Sequence, residues 1–231
     1  MNNFDLRSVR QRLGWSEQKA AHRLGVSQSY LSMLENGKRR LTKTLARRVM
    51  NVFGMPATVL PPSSPARWDA QKLAQQLAAL DYPGFAYLQA RGRTEKRNPA
   101  EVLLSALTDE HLEARLVEAL PWLLLRYWNI DQGWLVEQAK VRDLQNRLGF
   151  VATLARRLGE KADPVNVDRT QALSKLEATL SMSKLAKEDT LGKPPQSAAE
   201  RNWVLENRTE DAKNWNMLNN WRPEHFQYVD V

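Results

Sequence analysis

The stretch from Gly14 to Gly37, GWSEQKAAHRLGVSQSYLSMLENG, constrains this chain more than any other. It contains two short helical patterns separated by one glycine. Ser16 is a natural N-cap and Glu17 is well placed for the helix dipole, so the first helix should run to about Leu24. Ala20, Ala21 and Leu24 face inward, and small residues there let two helices cross closely. Gly25 supplies the turn, Val26 plugs the core, and Ser27 caps a second helix with Leu31 and Leu34 buried. The opposite stripe of that helix reads Gln28, Ser29, Ser32 and Met33, and Asn36-Gly37 stops it.

The flanks extend the same unit. Residues 4–13 read as a helix with Leu6, Val9 and Leu13 on one buried face, ended by Gly14. Lys38, Arg39, Arg40 and Lys43 follow the second helix of the pair. A further helix from Thr42 to Phe53 should bury Leu45, Val49 and Val52, with a short fifth helix near 56–60. The formal net charge of the chain is +8. Residues 1–65 hold 11 Lys+Arg against 3 Asp+Glu, which is +8, and residues 66–231 hold 23 of each, which is zero. All the excess positive charge therefore sits on the first unit, which points to a polyanionic partner for it alone.

Residues 5–60 resemble the Cro/repressor-type helix-turn-helix family known as XRE. The resemblance is carried by Leu13-Gly14, Ala21, the run Leu24-Gly25-Val26-Ser27-Gln28-Ser29, Leu31 and Leu34-Glu35-Asn36-Gly37. It implies double-stranded DNA as partner, read as an inverted repeat by a homodimer. It places Gln28, Ser29, Ser32 and Met33 at base edges, where a Gln amide pairs with adenine and methylenes meet a thymine methyl. It assigns the phosphate backbone to Gln18, Ser27, Tyr30, Asn36, Lys38, Arg39, Arg40 and Lys43. Tyr30 has two readings, a hydroxyl on a phosphate or a ring covering the helix edge. Arg10 and Glu35 fall where the family pairs its first and third helices, which makes Glu35 structural.

Two positions depart from the family. Its usual Gln near the start of helix 2 is Glu17 here, whose charge repels a phosphate, so Gln18 is expected to take that contact. A common Leu is replaced by Ala20, leaving a gap for Trp15 to fill.

Leu60-Pro-Pro-Ser-Ser-Pro65 marks a boundary, because three prolines in five residues favour a stiff spacer. The expected division is a DNA-binding unit at 1–60, a linker at 61–65 and an all-helical partner-binding or dimerisation unit at 66–231. In the latter, Trp68, Leu73, Leu77 and Leu80 mark one helix, and Phe85, Tyr87 and Leu88 a short one. Asn98-Pro-Ala-Glu101 opens another with a cap, a proline and an acid. Thr108 is expected to cap a helix carrying Leu112, Leu116 and Leu120, broken or kinked at Pro121. Residues 131–158 read as one long helix, with Gly149 a candidate kink and Arg142, Arg147, Arg156 and Arg157 either a second nucleic-acid surface or, as the zero net charge of this half favours, a solvated basic face. Asp168 is expected to start a helix over about 169–187, and Ser197 and Thr209 to cap two more. No strand-rich stretch appears, so the fold class is all-α.

Catalytic and metal signatures are missing. His22, His111 and His225 are scattered, cysteine is absent, and no Walker, GxGxxG or GxSxG motif occurs. No enzyme activity, cofactor or metal is expected. The N-terminus does not read as a signal peptide, and the apolar run at 119–125 is far too short to span a bilayer, which suits the cytoplasm. Seven of the eight tryptophans lie beyond residue 65. Trp203, Trp215, Trp221, Phe226 and Tyr228 either staple the C-terminal helices to the core or form a docking surface. The helical half, through ALPWLLLRYWNID and AKVRDLQNRLGFVATLA, loosely resembles antitoxin regulators, which neutralise a toxin and repress their own operon. The alternative is a ligand-responsive or developmental repressor of the phage type.

Overall fold

The computed structural model describes residues 6–89 and 94–228. Every regular element among them is helical, and the one β feature is an isolated parallel bridge between Asp189 and Met217. The all-α expectation therefore holds.

The first unit consists of α1 (Leu6–Arg12), α2 (Glu17–Leu24), α3 (Gln28–Glu35) and α4 (Lys43–Phe53). In place of a fifth α-helix there is a single 3-10 turn, Ala57–Val59, entered through Pro56. The two expected caps form, and Thr42, expected inside the helix, is a third: Ser16, Ser27 and Thr42 accept the backbone N–H of Lys19, Tyr30 and Leu45. Gly25 sits at φ 67, in the left-handed region that a β-carbon disfavours. A core of Leu6, Ala20, Ala21, Leu24, Leu31, Leu34, Leu45, Val49, Phe53 and Met55 closes the unit. Leu13 is a correction. It is 41% exposed, because α1 ends at Arg12 and the turn at Gly14 carries the next side chain off the buried face. Phe53, rather than Val52, completes the inner face of α4. Trp15 packs against this core, tilted against Phe53 with ring centroids 5.3 Å apart.

Beyond the prolines come α5 (Ala70–Ala79), α6 (Ala86–Gln89), α7 (Pro99–Leu107), α8 (Ala114–Val117) and α9 (Ala119–Arg126). They are followed by α10 (Gln132–Lys140), α11 (Gln145–Ala162), α12 (Val167–Ser181), α13 (Ala198–Asn207) and α14 (Glu210–Asn214). Helix α7 is buried along its whole length, and α11 packs between α9 and α12. The stretch 131–158 is two helices rather than one. Asp143, at φ 55, turns the chain between α10 and α11 and leaves Val141 exposed. Periodicity survived the break because the short turn keeps Leu144 and Leu148 on the core side. Gly149 does not kink α11; a β-carbon there would collide with the Trp215 ring.

Other boundaries also moved. Thr108 closes α7, donating its hydroxyl to the Leu104 and Ser105 carbonyls, instead of opening the next helix. The break near Pro121 comes three residues earlier, at Glu118, and Pro121 sits in the first turn of α9, where its missing N–H costs nothing. Asn166 rather than Asp168 caps α12, which ends at Ser181.

The prolines do not make a free spacer. Ala57 and Leu60 belong to the same buried cluster as α5, α7 and α9, and Ala46 of α4 joins them. The Asn98 amide donates to the Leu60 carbonyl at 2.5 Å, and the Ser63 N–H reaches Glu101 at 3.4 Å. Arg47 pairs with Glu95 across the same junction.

Candidate nucleic-acid interface

The position of α3 is set from beneath by an ion pair. Arg10 donates from Nε and Nη2 to the two carboxylate oxygens of Glu35 at 2.6 and 3.0 Å, and from Nη1 to the Trp15 carbonyl at 2.9 Å. Both side chains are occluded, at 9% and 2% exposure, so the geometry is held in a medium where charge pairing is strong. The hydrogen bond that Arg10 donates to Glu35 raises the Arg10 pKa against the opposing effect of burial. The expected pair of Arg10 and Glu35 is therefore formed, and it ties α1 to α3.

On the opposite side, Gln28 and Ser29 are exposed, and Ser32 and Met33 are half-exposed one turn later. These four share one stripe of α3. Ser27, besides capping, sits 3.1 Å from the Ser29 hydroxyl. Asn36 folds back onto α3, donating to the Ser32 carbonyl at 2.8 Å and its hydroxyl at 3.3 Å. That bond commits part of the Asn36 amide to ending the helix. Lys38, Arg39, Arg40 and Lys43 are exposed and make no ion pair among the described residues. Gln18 is exposed on the first turn of α2. The exposed stripe of α3 and the basic run follow one another in the chain, joined by the turn after Asn36.

Glu17 has a role that the sequence did not reveal. Its carboxylate accepts the Gln28 amide N–H at 3.3 Å and stands 3.8 Å from Arg10. A carboxylate only accepts, so it fixes which end of the Gln28 amide turns toward α2. Tyr30 is half-buried on the core edge and lines an open cleft of about 420 Å3 with Ser27, Thr42, Thr44 and Arg48. Arg48 donates to the Leu24 carbonyl at 3.3 Å, closing the α2 end. Arg23 lies over the Trp15 ring, 4.4 Å from its centroid. None of these three arginine and tyrosine placements follows from helical periodicity, since each depends on how α2 and α4 cross.

The C-terminal aromatics divide. Trp215 is 1% exposed, donating its indole N–H to Thr153 at 2.8 Å, and Phe226 is 7% exposed. Both are core residues and cannot present a docking face, which corrects that expectation. Trp221 is half-buried, donates to the Leu191 carbonyl and tilts against Phe226; Tyr228 meets Tyr82 edge-on. Trp203, 53% exposed, stands furthest out of the five, on α13, where Val204 is the buried residue, and Tyr228 is 39% exposed. The four arginines read as a basic face are not one. Arg147 is buried against Asp189 and the Leu107 carbonyl, Arg156 bridges Glu160 and Glu177, Arg157 meets Asp211, and Arg142 bonds Gln138.

Two helices crossing at a glycine turn, with a polar stripe outward and unpaired cations beside it, define a helix-turn-helix DNA-binding domain. Residues 6–60 match the family model described as Helix-turn-helix. They form an XRE-type helix-turn-helix domain, and the chain is a DNA-binding transcriptional regulator. The match ends at residue 60, and no curated protein or solved structure matches the chain. Among the described residues no helix is long and apolar enough to cross a membrane, and no group of three His, Asp or Glu side chains is gathered to hold a metal.

Proposed function

We propose that the protein is a repressor that reads an inverted-repeat operator as a homodimer, with Gln28, Ser29, Ser32 and Met33 at base edges. Gln18, Ser27, Tyr30, Asn36, Lys38, Arg39, Arg40 and Lys43 hold the phosphates. The observation that carries this reading is the exposed polar stripe of α3, pinned from below by Arg10–Glu35 and flanked by unpaired cations. The test is operator selection from a random duplex pool, followed by affinity measurements over a range of salt. Gln28→Ala should cost roughly 1–3 kcal/mol on the preferred site and relax base choice there, while Arg39→Ala should weaken all sequences alike and reduce the salt slope by about 1. Unchanged discrimination by Gln28→Ala would place the reading helix elsewhere.

We further propose that residues 66–231 receive a protein partner, as an antitoxin receives its toxin. Trp203 supports this: a large indole 53% exposed on a helix with one buried residue is the kind of anchor that interfaces use. A stoichiometric partner encoded beside this gene, toxic when expressed alone and captured less by Trp203→Ala, is the expected result. A harmless neighbour that does not co-purify removes the reading.

A further inference from the structure

An open cleft of about 310 Å3 lies where the chain enters its second unit, lined by Arg67, Trp68, Ser105, Thr108, Asp109 and Glu110. Three features set it apart from an ordinary surface groove. Ser105, in α7, is 2% exposed, and its hydroxyl has no hydrogen-bond partner among the described residues. Buried hydroxyls are nearly always paired, and one that lines a cleft without a partner is a donor and acceptor held in reserve. Next, the charges around the cleft are opposite yet unspent. Arg67, Asp109 and Glu110 form no ion pair among the described residues, although all three line one small space. Among the described residues, the Asp109 side chain accepts only the His111 N–H. Lastly, the floor is the C-terminal end of α7, and Trp68 offers an aromatic wall, half-buried against the main core.

A ligand matching this set carries an anion and a cation a few ångströms apart, with an apolar body beside them. We propose that the cleft binds a zwitterionic α-amino acid. Its carboxylate faces the Arg67 guanidinium, and its ammonium faces Asp109 and Glu110. Its side chain covers Trp68, and the Ser105 hydroxyl gains the partner it lacks. A simple amine would leave Arg67 unpaired and repelled, and a simple acid would meet two carboxylates. The discrimination therefore resides in having both charges. The site lies near the DNA-reading unit: the same helix that floors the cleft begins at Asn98, whose amide holds the Thr58 and Leu60 carbonyls. This proposal is independent of the partner reading of Trp203.

The test uses the full chain. The twenty common α-amino acids are screened at millimolar concentration by thermal shift, and the best binder is compared by calorimetry with its decarboxylated amine and its deaminated acid. The expected result is that at least one amino acid raises Tm and that removing either charge weakens binding roughly ten- to hundredfold. Arg67→Ala should abolish the preference for the amino acid over its amine. Ser105→Ala should weaken the amino acid while the free protein keeps or raises its Tm, since it loses an unpaired buried hydroxyl. No shift with any amino acid overturns the proposal. So does an amine that binds the unaltered protein as well as its parent amino acid, or a Ser105→Ala protein whose affinity is unchanged.

Discussion

Replacing Glu35 with alanine isolates the Arg10 guanidinium in a site where its side chain is 9% exposed. Two of its three hydrogen bonds disappear, and the Trp15 carbonyl remains. Removing one member of a buried pair costs about 3–5 kcal/mol when the other charge is left uncompensated. Glu17, already 3.8 Å away, can swing closer and offset part of this, so about 2–4 kcal/mol is expected. At about 0.05–0.15 kcal/mol per residue, residues 6–60 hold roughly 3–8 kcal/mol in total. The loss is therefore about a quarter or more of what holds the unit together, and the first unit should open before the larger helical core does. Hydrogen exchange resolved by segment reads this directly: protection should fall across α1–α4 and persist in α11 and α12. Operator affinity should drop in step with the open fraction. Arg10→Met combined with Glu35→Leu should restore most of the stability, because an apolar pair of similar size carries no desolvation penalty. A loss under about 1 kcal/mol in Glu35→Ala, or a double variant no better than the single, refutes the reasoning.

Gly149→Ala would gain about 1 kcal/mol in an exposed helix, yet here the methyl runs into Trp215 and should cost about 1–3 kcal/mol net, measured by urea unfolding. Trp215→Leu in the same chain should make the alanine tolerable. Burial pushes the Tyr127 hydroxyl up to about 12, and it donates to the Leu80 carbonyl at 2.9 Å. Its folded pKa lies above the unfolded value near 10, so the stability it contributes is whole below pH 10 and is lost as pH rises toward 12. Denaturation midpoints across that window should fall less steeply in Tyr127→Phe. Glu17→Gln removes a carboxylate beside Gln28 while keeping an acceptor. Competition binding at low salt should show tighter binding to all duplexes, with the gain fading as salt rises.

Much of the DNA-reading unit was legible in the chain itself. Caps at Ser16, Ser27 and Thr42 act on N–H groups three residues away, and Gly25 answers a backbone requirement at its own position, so both are written locally. The charge imbalance at 1–65 is likewise a property of composition. The Arg10–Glu35 pair spans 25 residues and was reached through family resemblance rather than periodicity.

Where local rules misled, a distant partner made the decision. Residues 131–158 kept helical periodicity through the turn at Asp143, because a short turn between two core-facing helices returns the apolar residues to the same side. Gly149 looks like a hinge until Trp215, 66 positions later in the same numbering, fills the space its missing side chain leaves. Arg147 looks like surface charge until Asp189 and the Leu107 carbonyl enclose it. The proline run promises a stiff spacer, and the amide of Asn98 fastens the chain just before it to α7. By itself the sequence determined the helical class, the exposed polar stripe of α3 and the excess positive charge of the first unit, since these depend on near neighbours. The tertiary structure alone decided which aromatics are core, which arginines are paired, how Glu17 orients Gln28 and where a cleft lines up Arg67 with Asp109. Each of those depends on burial and on charges brought together from distant parts of the chain.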